Sequence, residues 1–150
     1  MLVEGQFQVR AGPAQVSAFF SDVRQLLDCL DDPHTVDAVQ GDQFSGTITT
    51  GVAFIRGKFR FDGQYTERTP GQRIVTKIRG SGLGSAVDAT LSAGFTPAGT
   101  GTTVAWKADI VLTGPASSLG ERLIRSTIQK KASALFEKAR QKLEAAPPPA

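Results

Sequence analysis

The chain has 150 residues, enough for one domain with a hydrophobic core and too few for two of ordinary size. Hydrophobic residues make up 40% and charged residues 21%, which is typical of a globular protein and not of a disordered one. The single cysteine excludes an internal disulfide and favours a reducing compartment. No apolar run approaches the ~20 residues that span a bilayer, and the N-terminus lacks the features of a signal peptide. We therefore expect a cytoplasmic protein.

The net charge of +3 is unevenly distributed along the chain. Residues 22–42 contain six acidic residues and one basic residue, whereas residues 56–79 contain seven basic and two acidic residues. Residues 121–144 contain seven basic and three acidic residues. Runs of this kind ordinarily form solvated faces, but the basic ones also suit an acidic partner or an anionic membrane surface.

The N-terminal third predicts one strand and two short helices. Residues 3–10 alternate apolar and polar side chains, the period of a half-buried strand. Pro13 suits the first turn of a helix, so residues 13–20 predict one. Ser21 and Asp22 are good N-caps for a second helix over residues 23–30, which Pro33 terminates.

The remainder predicts a long β-rich region followed by one long helix. Apolar residues recur at helical spacing from Pro115 to Glu144, which indicates a helix of about 30 residues. Consecutive strands joined by tight turns form an antiparallel meander, and the helix would cover its apolar face. We predict an α+β fold in a single domain of residues 1–145, with a disordered Pro-rich tail at 146–150. The six predicted strands are residues 35–40, 43–50, 53–67, 73–80, 86–96 and 102–113.

The glycine-rich stretch RGSGLGS at 79–85 raises the possibility of a phosphate-binding loop. Such a loop precedes a helix, whose N-terminus holds the anion. The residues after Gly84 instead alternate with a period of two, which predicts a strand. The glycines therefore indicate a turn or bend between two strands.

The inward faces of the predicted elements carry large apolar residues with small ones between them. Gly and Ala on these faces, such as Gly57, Gly63, Ala93 and Ala108, would leave room for a hydrophobic ligand. The alternative is that the large side chains simply fill the core. The predicted cavity residues are Phe59, Phe61, Tyr65, Val87, Leu91, Phe95, Trp106, Ile110, Leu123, Ile124, Ile128 and Leu135.

The outward face of the central strands is basic and predicts a docking surface. Nucleic acid is a poor fit because base-stacking aromatics would interleave with the cations, whereas here they share the opposite face, except for Phe54. An anionic membrane surface or an acidic protein suits this face better. The predicted docking residues are Arg56, Lys58, Arg60, Lys77 and Arg79.

No set of residues in the sequence predicts catalysis, a metal site or a cofactor site. His34 follows Pro33 and is interpreted as a turn residue, with a general base at the cavity mouth as the alternative. Cys29 is interpreted as a small packed side chain. One His and one Cys do not make a zinc site, and the adjacent Asp31 and Asp32 lack the opposed geometry of a catalytic pair.

The order of these segments resembles the carbon monoxide dehydrogenase G-subunit (CoxG-like) family, within the Bet v 1/START-like (SRPBCC, helix-grip) superfamily. The resemblance extends from Glu4 to about Leu143. It rests on EGQFQVRAGPAQVSAFFSDV, LLDCL, GDQFSGTITTGVAFIRGKFRFDGQYTE, RGSGLGS and GTTVAWKADIVLTG running into LGERLI. Family members usually read Cys-Leu-Pro-Gly where this chain has Cys29-Leu30-Asp31-Asp32-Pro33, a departure beside the expected cavity mouth.

The resemblance implies a seven-stranded curved sheet that grips the long helix, with an apolar cavity between them. Members of the superfamily bind lipids, sterols, quinone-like molecules or polyketides. CoxG-like relatives are accessory proteins, linked to the maturation or membrane attachment of molybdenum-containing dehydrogenases, which places them at the inner face of the membrane.

Three function classes remain open on the sequence. The first is a non-enzymatic carrier of a hydrophobic ligand such as a lipid or quinone. The second is an assembly factor that acts through its surface without a ligand. The third is a cavity enzyme, a cyclase or hydrolase, which would need polar side chains in the pocket. Its candidates are Tyr65, Glu67, Asp88 and Thr90, of which only Tyr65 is predicted to point inward.

Overall fold

The computed structural model describes residues 1–52 and 55–145, and within them the chain forms seven strands, three α-helices and one 3₁₀ helix. The predicted strand positions 53 and 54 and the predicted tail at 146–150 lie outside the described residues. In chain order, the elements are β1 (Leu2–Val9), α1 (Pro13–Phe20), α2 (Val23–Leu27), β2 (His34–Gln40), β3 (Gln43–Val52), β4 (Ile55–Thr69), β5 (Arg73–Gly82), β6 (Ser85–Ala98), β7 (Gly101–Thr113), the 3₁₀ helix (Pro115–Leu119) and α3 (Glu121–Ala145).

The strands form one antiparallel sheet in the order β1-β7-β6-β5-β4-β3-β2. Strands β2 to β7 follow one another as a meander, and β1 pairs with β7 from Leu2 opposite Asp109 to Val9 opposite Thr102. The pairing shifts register once in β2 and once in β4, and such bulges bend a strand and increase its twist. The predicted α+β helix-grip fold is therefore confirmed.

The second short helix is capped as predicted but is shorter than predicted. The carboxylate of Asp22 accepts hydrogen bonds from two backbone N–H groups of the first turn, at 3.1 and 3.3 Å. The helix ends at Leu27 and not at Leu30. The N–H groups of Cys29 and Leu30 donate to carbonyl oxygens three residues back, at 3.1 and 2.9 Å, so the last turn tightens into 3₁₀ geometry.

The glycine cluster forms the hairpin turn between β5 and β6. Leu83 and Gly84 have φ angles of +55° and +77°, and a type I′ turn requires positive φ at both central positions. Gly82 and Ser85 pair across this turn, and β6 continues from it. The prediction that a strand follows the glycines is confirmed, and a strand at this position does not have the geometry of a phosphate-binding loop.

The long helix begins later than predicted. Residues Pro115–Leu119 form a 3₁₀ helix, and α3 runs from Glu121 to Ala145, 25 residues. Gly120 separates them with a φ of +92°, which lies outside the right-handed helical region. The predicted start at Pro115 is therefore wrong, because the apolar spacing continues through a break that only the backbone conformation shows.

The apolar side chains between the sheet and the helices form two clusters. The larger one joins α1, α2 and the C-terminal half of α3 to the sheet and includes Val16, Phe20, Val104 and Ala139. The smaller one contains Val3, Ala108 and Ile110, with Trp106 and Ile128 among its partly buried neighbours.

Candidate ligand-binding cavity

A cavity of about 330 Å³ lies where the two clusters meet, between the inner faces of β5, β6 and β7 and the helix α3. Its walls are almost entirely apolar. This volume is at the lower end of the range of small-molecule pockets, ~300–1,000 Å³. The lining residues are Phe20, Leu26, Leu30, Ile74, Thr76, Leu91, Ser92, Ala93, Trp106, Lys107, Ala108, Ile110, Ile128, Lys131, Ala132, Leu135 and Phe136.

Five of the predicted cavity residues line this space. They come from β6, β7 and α3, and helical spacing directs the two residues of α3 toward the sheet. They are Leu91, Trp106, Ile110, Ile128 and Leu135.

The other seven predicted residues are not among those that line this space. Most of them fill the core, because neighbouring strands bring further large side chains against them. Phe61, Tyr65, Phe95 and Ile124 are buried, whereas Leu123 is 40% exposed on the first turn of α3. The remaining two, Phe59 and Val87, are partly buried, and Val87 packs against the smaller cluster.

The inward-facing glycines and alanines differ in what lies against them. A Cβ at Gly63 would lie 2.1 Å from the Phe44 ring, so the missing side chain is replaced by a neighbour and not by empty space. Ala93 and Ala108, in contrast, both line the cavity. The room for a ligand therefore comes from the alanines of β6 and β7. Glycines on these faces are instead covered by large side chains, for example Phe44 over Gly63, Leu83 over Gly57 and Phe59 over Gly82.

Thr76 places a hydroxyl in the apolar wall. It lies on the inner face of β5, opposite Leu91 of β6, and is 8% exposed. Thr76 lines the cavity, so its hydroxyl lies within reach of a ligand there.

An ion pair holds one of the lining residues, Lys131. The ammonium group of Lys131 on α3 donates to Asp32 Oδ2 at 2.7 Å, and the Thr50 hydroxyl donates to the same oxygen at 2.8 Å. Burial alone would raise the pKa of the Asp32 carboxyl, but the hydrogen bonds from Lys131 and Thr50 outweigh it and lower the pKa below its ordinary value. Asp32 is therefore a carboxylate at neutral pH. The neighbouring Asp31 pairs with Lys138, two turns further along the helix.

An aromatic wall separates the cavity from an outer groove along β1. Trp106 and Phe136 line both spaces, and their ring centroids are 5.2 Å apart. Phe136 also stacks on Phe7 of β1 at 4.8 Å. The indole of Trp106 lies over Gly5, where an added Cβ would come within 3.0 Å of the ring.

Cys29 and His34 occupy structural positions. Burial raises the pKa of the Cys29 thiol, which donates a hydrogen bond to the Gln25 carbonyl oxygen. A protonated thiol is a weak nucleophile. His34 begins β2; its Nδ1 lies 2.8 Å from the Asp32 carbonyl oxygen, and its Nε2 lies 3.7 Å from Asp28 Oδ1. His34 is not among the cavity-lining residues.

The candidates for a cavity enzyme lie outside the cavity. Burial raises the pKa of Tyr65 to about 12, and its hydroxyl donates to the Phe20 carbonyl oxygen at 3.1 Å. Glu67, Asp88 and Thr90 are exposed on the outer face of the sheet. In the described part of the chain, no group of three or more His, Cys, Asp or Glu side chains is arranged to hold a metal ion.

The predicted docking residues share the exposed outer face of β4 and β5. All five side chains are exposed, and Arg79 pairs with Asp88 of β6 at 3.0 Å. None of the helices in residues 1–52 and 55–145 is both long and apolar enough to cross a membrane. The five residues are Arg56, Lys58, Arg60, Lys77 and Arg79.

Residues 5–144 match the carbon monoxide dehydrogenase G-subunit family, CoxG. The chain belongs to the CoxG family. No curated protein matches it significantly. The predicted family is therefore confirmed over almost the whole length of the chain.

Solved structures share the fold of this CoxG-family chain at low sequence identity. A conserved protein from Geobacillus kaustophilus is 17% identical, with a TM-score of 0.86 over 95% of each chain. A START superfamily protein from Mycobacterium smegmatis is 12% identical, with a TM-score of 0.71 over 95% of this chain and 97% of its own. A Thermus thermophilus protein is 17% identical, with a TM-score of 0.73 over 97% of this chain and 98% of its own. The family and the START-like fold fit a ligand-binding accessory protein in general.

Proposed function

We propose that this CoxG-family chain is a non-enzymatic carrier of a hydrophobic small molecule, a lipid or a quinone-like compound. The observation that carries this proposal is the cavity of about 330 Å³ with nearly all-apolar walls, between two clusters that are otherwise packed. Such a space excludes water-soluble ligands because it offers few partners for polar groups. An apolar molecule gains by leaving water for it.

The cavity is poorly equipped for catalysis. Two of its polar lining residues, Ser92 and Lys107, alternate with the inward-facing Ala93 and Ala108, so their side chains point to the outer face of the sheet. That leaves the side chains of Thr76 and Lys131, and the ammonium group of Lys131 is already paired with Asp32. General acid–base chemistry needs a titratable group within hydrogen-bond reach of the substrate, with a pKa near the working pH. A carrier fits these residues better than a cyclase or hydrolase.

We further propose that the protein serves a molybdenum-containing dehydrogenase of the carbon monoxide dehydrogenase type, at the inner surface of the membrane. The basic face of β4 and β5 supports docking on anionic lipid, because each cation near such a surface adds about 1 kcal/mol of attraction. An assembly factor that acts only through its surface is the second candidate. The same exposed cations favour it, and it would have no ligand in the cavity.

Ligand entry can be measured with the chain's one tryptophan, Trp106, which lines the cavity. Titration with a decyl-tailed benzoquinone is expected to quench its emission saturably, because the quinone ring would come into contact with the indole. The free amino acid derivative N-acetyltryptophanamide, which has no cavity, provides the control. Quenching that rises linearly for both, without saturation, would refute the carrier function.

Charge reversal on the outer face tests membrane docking. We expect Arg56→Glu/Lys58→Glu/Arg60→Glu to weaken binding to vesicles of equal phosphatidylglycerol and phosphatidylcholine at least about 100-fold. Co-sedimentation measures the fraction of protein bound to the vesicles. The matched control reverses the same number of charges on α3, at Arg122, Lys130 and Lys142, which are also exposed. Equal losses in both variants would mean that net charge, and not this face, drives binding.

A further inference from the structure

The loop between α2 and β2 is tied to the helix beside the cavity. Asp31 and Asp32 pair with Lys138 and Lys131, so two ion pairs hold this loop against α3. Leu30, at the start of the loop, lines the cavity. The loop therefore contributes Leu30 to the wall of the cavity, and the ion pair joins the loop to the lining residue Lys131.

The pair between Asp32 and Lys131 determines the charge that a ligand meets. Lys131 lines the cavity, and its side chain is 38% exposed, whereas that of Asp32 is only 16% exposed. With the ammonium group held at 2.7 Å by a shielded carboxylate, the pair presents no net charge. An anionic ligand would have to displace Asp32 from Lys131 and leave that carboxylate without its partner, which is costly in a shielded site.

Thr76 supplies an uncharged donor for a ligand. Thr76 carries its hydroxyl on the inner face of β5, among the residues that line the cavity. A hydroxyl can donate one hydrogen bond to an uncharged oxygen such as a carbonyl. An apolar molecule without an acceptor that displaced water from this hydroxyl would leave it without a partner, which costs free energy.

We propose that the cavity selects a neutral amphiphile, whose chain fills the apolar space and whose uncharged oxygen accepts a hydrogen bond from Thr76. Asp32 is the positioning residue of this selection, because it keeps the charge of Lys131 from recruiting an anion. The inference deepens the proposed carrier function and rests on it.

The test compares two probes that share a chain and differ in charge, dodecanoate and its methyl ester, by isothermal titration calorimetry near neutral pH. The wild-type protein is expected to bind the ester at least about tenfold more tightly than the carboxylate. Asp32→Asn frees the ammonium group of Lys131, so its affinity for dodecanoate should rise about tenfold while that for the ester stays within about threefold. Asp32→Glu, which keeps the charge, should restore the wild-type preference.

Two further variants separate selection from folding. Asp32→Asn/Lys131→Met removes both charges, so it should bind the ester like the wild type and lose the gained affinity for dodecanoate. Thr76→Val keeps the shape of the side chain and removes the hydroxyl. This variant should bind the ester about three- to tenfold more weakly, which corresponds to the loss of one hydrogen bond, and should bind dodecane as tightly as the wild type does.

The outcomes distinguish the two proposals. If neither probe binds the wild-type protein, the carrier function fails and this inference fails with it. If both probes bind but the preference is the same in the wild type, Asp32→Asn and the double variant, the carrier stands and the selection by Asp32 is refuted. If dodecanoate is preferred by the wild type, the neutral ligand class is refuted.

Discussion

Replacing Ala108 with Phe is expected to weaken binding of a decyl-tailed benzoquinone at least about 100-fold. Ala108 is 5% exposed on the inner face of β7 and lines the cavity. A phenyl ring at this position would enter a space of about 330 Å³ and occupy the place of the ligand. Isothermal titration calorimetry measures the loss without depending on the emission of the neighbouring Trp106.

The matched control for this substitution is Ala105→Phe, three residues earlier on the exposed outer face of the same strand. It should bind the quinone like the wild type. Because the new ring fills a void, the melting temperature of the Ala108→Phe protein should fall by no more than about 3 °C. Full quinone affinity in a folded Ala108→Phe protein would show that the ligand binds elsewhere.

Gly63→Ala is expected to have the largest effect on stability, a loss of about 3 kcal/mol. The added Cβ would lie 2.1 Å from Cζ of Phe44, a residue that is 6% exposed. The centroid of the Phe44 ring lies 6.3 Å from that of Phe61 and 5.6 Å from that of Tyr65. The ring cannot move without displacing these neighbours. Thermal unfolding should show a melting temperature lowered by about 6–12 °C.

Gly80→Ala provides the control on the adjacent strand β5. A Cβ there would meet only the Arg60 carbonyl oxygen, at an ordinary contact distance of 3.7 Å. We expect its melting temperature to change little or to rise slightly, because alanine restricts the unfolded chain. Equal destabilisation by both substitutions would mean that glycine itself, and not the room for Phe44, matters at position 63. Adding Phe44→Leu to Gly63→Ala should recover part of the stability that Gly63→Ala loses.

Strand alternation was sufficient to predict the sheet, because every strand has one face toward the helix and one toward solvent. The outward cations at 56, 58 and 60 and the inward Phe61 and Tyr65 illustrate this rule. Helix ends were less predictable. Apolar spacing continues across Gly120, and only its φ of +92° separates the 3₁₀ helix from α3.

The cavity was only partly predictable, because strand parity tells which face a residue is on and not what lies against it. Phe61 and Leu91 both face inward, but Phe61 packs against Phe44, whereas Leu91 faces the void. The contributions of Phe20, Leu26 and Leu30 depend on how the short helices fold back over the sheet. Their apolar spacing was the only indication in the sequence.

The polar side of the cavity was not predictable at all. Asp32 and Lys131 are 99 residues apart, and no local pattern connects them. Asp31 and Asp32 stood out in the sequence only as a departure from the Cys-Leu-Pro-Gly pattern. Their partners on α3 became evident only once the loop and the helix were placed side by side.

The most direct test of the carrier function is native mass spectrometry of the protein purified from cells, followed by solvent extraction of whatever is bound. We predict a reproducible extra mass, in a ratio of one per chain, that extracts as a neutral lipid or quinone and is absent from Ala108→Phe. A mass equal to that of the bare chain, persisting after incubation with cell lipids, would contradict the carrier function and leave the surface-acting assembly factor as the better explanation.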